Sequence, residues 1–477
     1  MNKKYDVIIL GNGILGYSTA FSLIQGNSAL KIALIGPSNK LGSASMAAGA
    51  MIVSFSELEK GSLKSEYSKL KFDLSLKATK MWTQWVEEIN RAIGENLLSV
   101  NYGINVIQNT KADESDGENF TAMIETLKQY GEDYYEVDPN TIEGLSPPAD
   151  GRSLRAVYIP SEGSIKSSDL ALAFERFFEI SKNNIDLIDD LGVKLKVCDD
   201  GLKEISTKSG YTFSSKSLVI ACGSKSQEFI DQIPGLNKKI PRLVYGVGTG
   251  IVVKTESHAP KKVIRTLNRG LACGVHVVPY DHEVCYIGAS NFISPVPEYY
   301  PRMTSLYALL QGAMEQIHRK FYKAHVLKYV VGHRPTTIDT FPLLGETSIK
   351  GLWILSGTKR DGIHMSPLLG KSFALEILGG KCLFENKFLP ERKPIHTMTK
   401  EEGINKAVQH LKSAGFQHEL RLPKAGWDEM IEDTLRKKVE AIYDKCGITD
   451  FGIPAEMLDM YKYGHVGEIE KAHVLSH

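Results

Sequence analysis

The stretch that decides the fold is YDVIILGNGILGYSTAFSLIQG, residues 5–26. A short apolar run rich in β-branched residues leads into Gly11, Gly13 and Gly16, spaced as G-x-G-x-x-G, and then into apolar residues at helical spacing. This order predicts a buried strand, a tight turn and a helix, and KIALI (31–35) predicts a second strand. Such glycines permit the turn, let a pyrophosphate approach the backbone and let helix and strand pack closely. The sequence therefore predicts a dinucleotide site at the helix N-terminus, where free N–H groups face phosphates.

One element of this motif is missing, the acidic residue that binds a ribose hydroxyl. It is expected about 20 residues after the third glycine, and that position is Gly36, in IGPSNK. Ser38, Asn39 or the backbone with water would then hold the ribose. The missing acid, together with Lys40, hints at a ribose 2′-phosphate and hence at NADP, an alternative that later segments oppose.

Length and composition exclude several classes of protein. The 477 residues allow roughly three folding units, and 42% hydrophobic with 24% charged residues is typical of a globular protein. The 57 Lys and Arg nearly balance the 56 Asp and Glu, which argues against a nucleic-acid partner. We find no apolar run of about 18 residues, and so expect no transmembrane segment.

Cysteine and histidine spacing predicts no metal site. The six cysteines show no C-x-x-C or other ligand spacing, and a reducing, cytoplasmic location is the expectation. His465, His473 and His477 in the tail also match no metal-ligand pattern.

Further segments have the character of a ligand site. GSASMAAGAM (42–51) is rich in small residues, which let backbone approach a large flat ligand, although a tight loop explains it too. SLVIACG (217–223) predicts a buried strand that ends in a glycine turn. GHRPTTIDTFPLLG (332–345) precedes GLWILSGTKRDGIHMSPLLGK (351–371), which predicts a strand, a glycine turn and a helix beginning near Gly362.

Together these motifs resemble the D-amino-acid oxidase-like FAD-dependent oxidoreductases, in particular the glycine oxidase and sarcosine oxidase branch. The resemblance covers about residues 5–380. It depends on five ordered segments: the N-terminal glycine motif, SASMAAGAM, the CGVHVVP and IGAS pair within 273–290, GHRPTTIDTFPLLG, and SGTKRDGI. The resemblance implies FAD as the cofactor, because NADP enzymes lack the C-terminal glycine turn and helix, which here are predicted within residues 351–371.

The resemblance also implies the architecture. The fold class is α/β, with a discontinuous Rossmann-like FAD-binding domain on a parallel sheet, interleaved with a substrate domain on a mixed or antiparallel sheet. By this resemblance the FAD-binding domain takes residues 1–55, 150–240 and 325–385, and the substrate domain takes 56–149 and 241–324. A helical C-terminal extension is expected over residues 390–477, where the resemblance has ended.

Cofactor contacts follow from the resemblance residue by residue. The pyrophosphate would lie on Gly11, Gly13, Ile14, Leu15 and Gly16; the ribityl chain and flavin along Ser43, Ser45, Ala48 and Gly49; the adenine at Val193; and the isoalloxazine at Arg360, Asp361, Gly362 and Ile363. A helix N-terminus at the flavin would stabilise the negative charge of the reduced ring. Covalent attachment in the sarcosine branch needs a cysteine near Arg334. The chain has none between Cys285 and Cys382, so non-covalent FAD is expected.

Arg334, His276 and Arg360 are the candidate catalytic residues. Arg334 stands in GHRP where the family places an arginine that binds the substrate carboxylate through its planar fork, with a salt bridge as the alternative. Arg360 could polarise the ring or assist that carboxylate, or only cap the turn. His276 stands where the glycine oxidase branch shows a tyrosine; it could contact a more polar substrate or accept a proton, or be an ordinary buried histidine.

The resemblance, with these residues, implies an FAD-dependent oxidation of the C–N bond of an amino acid or N-substituted amine. Hydride would pass from the substrate α-carbon to flavin N5, the imine would hydrolyse, and O2 or another acceptor would reoxidise the flavin. The alternative is a flavin-binding subunit of a larger oxidoreductase complex without turnover of its own, which the departures at Gly36 and His276 favour.

The tail predicts two amphipathic helices. Thr399 and Glu402 form a capping box for a helix through Leu411. A second helix is expected between Gly426 and Gly447, with apolar residues at helical spacing: Met430, Ile431, Leu435, Val439 and Ile442. Their apolar faces need cover, either from the FAD domain of the same chain or from a neighbouring subunit or partner. We therefore expect a structural or homo-oligomer-forming appendage, with a cap over the active site as a lesser alternative.

Overall fold

In the computed structural model of the chain, residues 2–111, 114–269, 274–417, 420, 422–423, 425–467 and 470–471 are described. Cys273 of the quoted motif and the tail residues His473 and His477 lie outside them. Over the described ranges, no helix combines the length and the apolar character needed to cross a membrane.

The described residues form strands and helices that alternate along most of the chain. The strands are β1 (Asn2–Lys4), β2 (Val7–Leu10), β3 (Ile32–Ile35), β4 (Gly42–Ser43), β5 (Met51–Ile52), β6 (Asn101–Asn109), β7 (Tyr135–Val137), β8 (Ser153–Ser164), β9 (Ile185–Ile188), β10 (Gly192–Val197), β11 (Lys203–Thr207), β12 (Thr212–Ser215), β13 (Ser217–Ile220), β14 (Leu243–Lys254), β15 (Val263–Thr266), β16 (His276–Pro279), β17 (Val284–Gly288), β18 (Phe292–Ser294), β19 (His325–Thr337), β20 (Leu343–Glu346) and β21 (Leu352–Ser356). The helices are α1 (Ile14–Gly26), α2 (Ala44–Ala47), α3 (Glu66–Ile93), α4 (Glu114–Tyr130), α5 (Ser167–Ile180), α6 (Ser226–Ile230), α7 (Met303–Gly312), α8 (Gly362–Ile377), α9 (Lys400–Gln417), α10 (Trp427–Cys446) and α11 (Leu458–Lys462).

The predicted glycine motif lies at the centre of a six-stranded sheet in the order β20-β21-β13-β2-β3-β9. Every neighbouring pair is parallel except β20 with β21. In β2, Val7 and Ile9 belong to the apolar cluster that holds α1, α3, α5 and α8. Ile8 and Leu10 belong to a second cluster on the opposite face, shared with the small sheet β1-β12-β11-β10. Both faces are covered, which explains why the strand is apolar throughout.

The second large sheet has eleven strands, along the path β4-β19-β14-β17-β16-β15-β6-β8-β5, with β18 on β14 and β7 on β8. Most of its pairs are antiparallel, while β15 with β6 and β19 with β4 are parallel. The α/β class, with one largely parallel sheet and one mixed sheet, is therefore confirmed. The division of the chain into domains stays a prediction.

The C-terminal extension, residues 390–477, contains both predicted helices. The Thr399 backbone N–H donates to Glu402 Oε2 (3.0 Å), and the Glu402 N–H donates to Thr399 Oγ1 (3.2 Å), which completes the capping box. The first helix, α9, continues past the predicted end at Leu411 to Gln417. The second, α10, spans Trp427–Cys446 as predicted. The predicted apolar face of α10 is only partly buried, since Val439 is buried whereas Met430 is 50% exposed.

The apolar face of the extension packs against its own chain. Residues of α9, α10 and the following segment form one buried cluster with Val244 of β14 and Ile338 just after β19. Arg392, at the start of the extension, forms a buried ion pair with Asp339. The chain therefore supplies cover for this face itself. A homo-oligomer formed through the extension stays a prediction.

Candidate active site

A cavity of about 430 Å³ lies between the two large sheets. Sixteen residues were singled out from the sequence as catalytic or cofactor-binding, and the structure brings fifteen of them to its walls: Gly11, Gly13, Ile14, Leu15, Ser43, Ser45, Ala48, Gly49, Val193, His276, Arg334, Arg360, Asp361, Gly362 and Ile363. Gly16 is not on the wall. Segments more than 300 residues apart in sequence thus meet around one site.

The glycine motif has the close contacts that its spacing predicts. Gly11 has a φ of +118°, and a Cβ there would lie 2.3 Å from the Ala221 carbonyl oxygen. A Cβ on Gly16 would lie 1.9 Å from the Gly11 carbonyl oxygen, so this residue lets α1 pack on the turn rather than facing the cavity. Gly13 caps the N-terminus of α1. The Ile14 N–H donates to Ser45 Oγ (3.0 Å), which joins the small-residue segment to this helix end.

The Asn12 side chain lies where the expected ribose acid would stand. A Cβ on Gly36 would lie 2.3 Å from Asn12 Cγ, so the Asn12 side chain occupies the space that an acidic side chain would need. Asn12 Nδ2 donates to the Pro37 carbonyl (3.0 Å). Lys40 Nζ donates to the Asn12 carbonyl (2.9 Å) and to the Tyr17 hydroxyl (2.9 Å), and burial lowers the pKa of Lys40 to about 8. Asn12 also lines the cavity, although the sequence reasoning passed over it.

The turn before α8 forms the opposite end of the cavity. The N-terminus of α8, at Gly362, lines the cavity with Asp361 as its N-cap. Burial opposes ionisation of Asp361, but the ion pair with Lys71 (3.0 Å) outweighs it, and the pKa of Asp361 lies below its usual value. His364 Nε2 shares a hydrogen bond with Thr79 Oγ1 (2.8 Å), and burial lowers the pKa of His364.

Arg334 lies on β19, opposite the loop that joins β17 to β18. Its Nη1 donates to the Ser290 carbonyl (3.1 Å) and to Asn291 Oδ1 (2.9 Å). The guanidinium lies against Gly248 of β14, where a Cβ would be 2.5 Å from Arg334 Cζ. Among the described residues no carboxylate forms an ion pair with Arg334, so the structure does not support the salt-bridge alternative.

His276 lies on β16 and is buried at the cavity wall. Its ring stacks on Tyr286, with 6.0 Å between centroids and 22° between planes. Burial, together with the positive charges of Arg265, Arg334 and Arg360, holds the pKa of His276 well below 6.5. The imidazole is therefore neutral near pH 7. Tyr286 lines the cavity too and was not anticipated, since nothing in VCYIGAS separates it from an ordinary strand residue.

A carboxylate from the C-terminal extension lies beside the turn before α8. Glu456 forms an ion pair with Lys359, the residue before Arg360, and accepts a hydrogen bond from Asn291 Nδ2 on Oε2 (3.3 Å). Burial raises the pKa of Glu456, but the charges of Lys359 and Arg360 outweigh this and lower it overall. Sequence reasoning missed Glu456, because no local motif marks it.

Comparison with known proteins agrees with this geometry. The family model for FAD-dependent oxidoreductases (DAO) matches residues 6–375. Glycine oxidase from Geobacillus kaustophilus is 25% identical over 379 residues, which are 78% of this chain and 92% of that protein. Sarcosine oxidase subunit beta from an Arthrobacter species is 22% identical over 387 residues, 78% of this chain and 86% of that protein.

Solved structures have the same fold. The crystal structure of glycine oxidase from Geobacillus kaustophilus superimposes with a TM-score of 0.69 at 21% identity, covering 82% of this chain and 99% of that one. Iminodiacetate oxidase from Chelativorans sp. BNC1 superimposes with a TM-score of 0.67 at 20% identity, covering 82% and 100%. Because the family model spans well over half of the sequence, the chain belongs to the FAD-dependent oxidoreductase family.

Proposed function

We propose that the chain oxidises the C–N bond of a small amino acid or N-substituted amine that carries a carboxylate, with FAD held non-covalently. The observation that carries this proposal is the position of Arg334. Its guanidinium lies in the same cavity as the glycine turn, and no described carboxylate pairs with it. Glycine oxidase, sarcosine oxidase subunit beta and iminodiacetate oxidase are named for substrates that combine an amine with a carboxylate, and this supports the proposal.

The residues present fit FAD along the whole cavity. Gly11, Gly13 and Gly49 line the cavity, and residues without a Cβ let a large ligand come close to the backbone. The N-termini of α1 and α8 open on the cavity at separate points, and their N–H groups suit a pyrophosphate and an electron-rich ring. Bound FAD supplies the acceptor for the hydride equivalent that leaves the substrate carbon.

Arg334 is proposed to bind and orient the substrate. Ser290 and Asn291 accept from Nη1 and so fix the plane of the guanidinium. A planar fork fixed in this way can take a carboxylate through two parallel hydrogen bonds, which sets the direction of the α-carbon. The neutral His276 can accept a hydrogen bond from the substrate amine and so help to orient it.

Anaerobic reduction of the bound flavin by matched amines tests the proposal. Glycine is compared with methylamine, and sarcosine with dimethylamine, on the purified full chain with FAD. We expect loss of the oxidised flavin absorption with the members of the panel that carry a carboxylate and little change with their partners that lack it. Equal reduction by both members of each pair would contradict the role of Arg334. A flavin that no amine reduces would contradict the activity and favour a flavin-binding subunit.

A further inference from the structure

We propose that Glu456, a residue of the C-terminal extension, is a positioning residue of the substrate site. It holds Asn291 and Lys359, and through them it fixes the orientation of Arg334 and of the turn before α8. The inference rests on the proposed function, since it takes Arg334 as the group that binds the substrate carboxylate.

The contacts form a continuous chain from the extension to Arg334. Glu456 Oε1 takes the ion pair with Lys359, and Oε2 accepts from Asn291 Nδ2 (3.3 Å). Asn291 Oδ1 in turn accepts from Arg334 Nη1 (2.9 Å). Each carboxylate oxygen therefore has a different partner, and the amide of Asn291 lies between an acceptor and a donor.

The chemistry of these groups allows only one orientation of the amide. A carboxylate can only accept and a guanidinium can only donate. Asn291 must therefore turn its NH₂ group toward Glu456 and its oxygen toward Arg334; a flipped amide would lose both hydrogen bonds. The Glu456 and Lys359 side chains are 13% and 18% exposed, so these bonds are little weakened by water.

The packing of the extension places the carboxylate. Glu456 lies in a single 3-10 turn, Ala455–Met457, directly after Pro454. Met457, the next residue, is fully buried in the cluster that joins the extension to Val244 and Ile338. A buried neighbour on a tight turn leaves Glu456 little freedom to move.

A second contact of the extension lies near the same end of the cavity. Lys406 of α9 forms an ion pair with Glu59 (3.0 Å). Burial raises the pKa of Glu59, but the positive charges of Lys406 and Arg360 outweigh it and lower the pKa to about 2. The extension thus forms ion pairs with both Glu59 and Lys359 of its own chain.

Glu456 lies beyond the part of the chain that the family shares. The family match ends at residue 375. The glycine oxidase structure is covered over 99% of its own length by 82% of this chain. The extension is therefore additional to that fold, and the positioning role of Glu456 is a property of this chain.

The test compares Glu456→Gln with the wild-type full-length holoprotein. Gln keeps the shape of Glu but can donate as well as accept, so it no longer fixes the Asn291 amide. We expect the limiting rate of anaerobic flavin reduction to fall about tenfold, because a displaced guanidinium misorients the α-carbon. We also expect the acetate dissociation constant, measured from the change in flavin absorption, to rise, with FAD content unchanged.

Two further variants complete the experiment. Asp428→Asn removes one ion pair of the extension, Lys412–Asp428 (2.8 Å), that joins α9 to α10 away from the cavity, and it should leave both measurements unchanged. Glu456→Asp keeps the charge on a shorter side chain, so its reduction rate should fall between those of wild type and Glu456→Gln. If Glu456→Gln does not fold, Glu456→Asp carries the test.

The outcomes separate this inference from the proposed function. A wild-type flavin reduced by carboxylate-bearing amines, with an unchanged rate in Glu456→Gln and acetate binding equal or tighter, overturns the positioning role alone. An unchanged rate with tighter acetate binding would mean that Glu456 acts only through its negative charge, and an unchanged rate with equal binding would mean that it has no role in the site. A wild-type flavin that no amine reduces overturns both proposals.

Discussion

The substitution Gly248→Ala should displace the Arg334 guanidinium, the proposed substrate-binding group, without disturbing the fold. Gly248 lies on β14 opposite Gly332 of β19, two residues before Arg334. A Cβ at position 248 would lie 2.5 Å from Arg334 Cζ, Nη1 and Nη2. These atoms form the free end of a flexible side chain, so the guanidinium moves rather than the sheet.

The size of the effect follows from this distance. Carbon atoms in contact prefer separations of about 3.5 Å, so the guanidinium must move by about 1 Å. That movement strains the hydrogen bond of Nη1 to Asn291 Oδ1 (2.9 Å) and shifts any carboxylate bound to the fork. A misplacement of about 1 Å can cost about 100-fold in rate. We therefore expect flavin reduction to slow by about this factor.

Stopped-flow absorbance under anaerobic conditions measures the limiting rate, with the amine that best reduces the wild type. Gly117→Ala is the matched control, because a Cβ on that residue of α4 meets its nearest atom at an ordinary 3.4 Å. The control should keep the wild-type rate, and both variants should keep their FAD and unfold near the wild-type temperature. If Gly248→Ala reduced its flavin at the wild-type rate, Arg334 would not orient the substrate.

Four further changes test other parts of the site. Arg334→Lys keeps the charge but loses the fork, which is worth about 1.5–3 kcal/mol; kcat/KM should fall at least about tenfold at constant FAD content, and equal kinetics would refute the assignment. Lys40 has a pKa of about 8 and loses its positive charge as pH rises through that value, so the affinity for FAD, measured by flavin fluorescence, should weaken over this range. Lys40→Met should bind FAD more weakly, with an affinity that does not change with pH. If the pH dependence of Lys40→Met equalled that of the wild type, Lys40 would not be its cause. Since the pKa of His276 lies well below 6.5 in the folded state, the unfolded chain takes up its proton first as pH falls below about 6.5, and stability falls with it. His276→Gln should lose less of its melting temperature than wild type between pH 7.5 and 5.5, and an equal loss would count against this account. A chain that ends at Arg392 should expose Val244 and form aggregates, which size-exclusion chromatography would detect. A soluble product with wild-type activity would contradict both the structural role of the extension and the positioning role of Glu456.

The parts of the fold that local patterns determine were predictable. The apolar run before Gly11, the capping box at Thr399 and the two glycines around α10 each depend on neighbours within a few residues. The end of α9 at Gln417 was missed, since a helix with no strong stop signal extends as far as its packing allows. For the second sheet the family resemblance implied only a mixed or antiparallel arrangement, and its eleven strands required the structure, because register between distant strands leaves little trace in one sequence.

The end of the cavity around the glycine turn was also predictable, because backbone makes most of it. Glycines have to stand where a Cβ has no room, and the sequence displays them directly at Gly11 and Gly16. A Cβ has no room at Gly36 either, where the sequence lacks the expected acidic residue, but this explanation required the structure. Only there does the Asn12 side chain appear in the space that an acidic residue would take.

The end of the cavity around Arg334 was predictable only in part, since side chains from distant segments build it. Arg334 could be identified by its motif, whereas Asn291 and Glu456 have none. Glu456 and Lys359 are 97 positions apart in sequence, and the chain brings them together through the packing of a segment that the family match does not include. If Glu456 has the proposed role, an added segment alters the substrate site while the motif around Arg334 is unchanged. Motifs would then identify the chemistry of this chain better than its substrate, because selectivity would depend on the contacts that hold Arg334 in place.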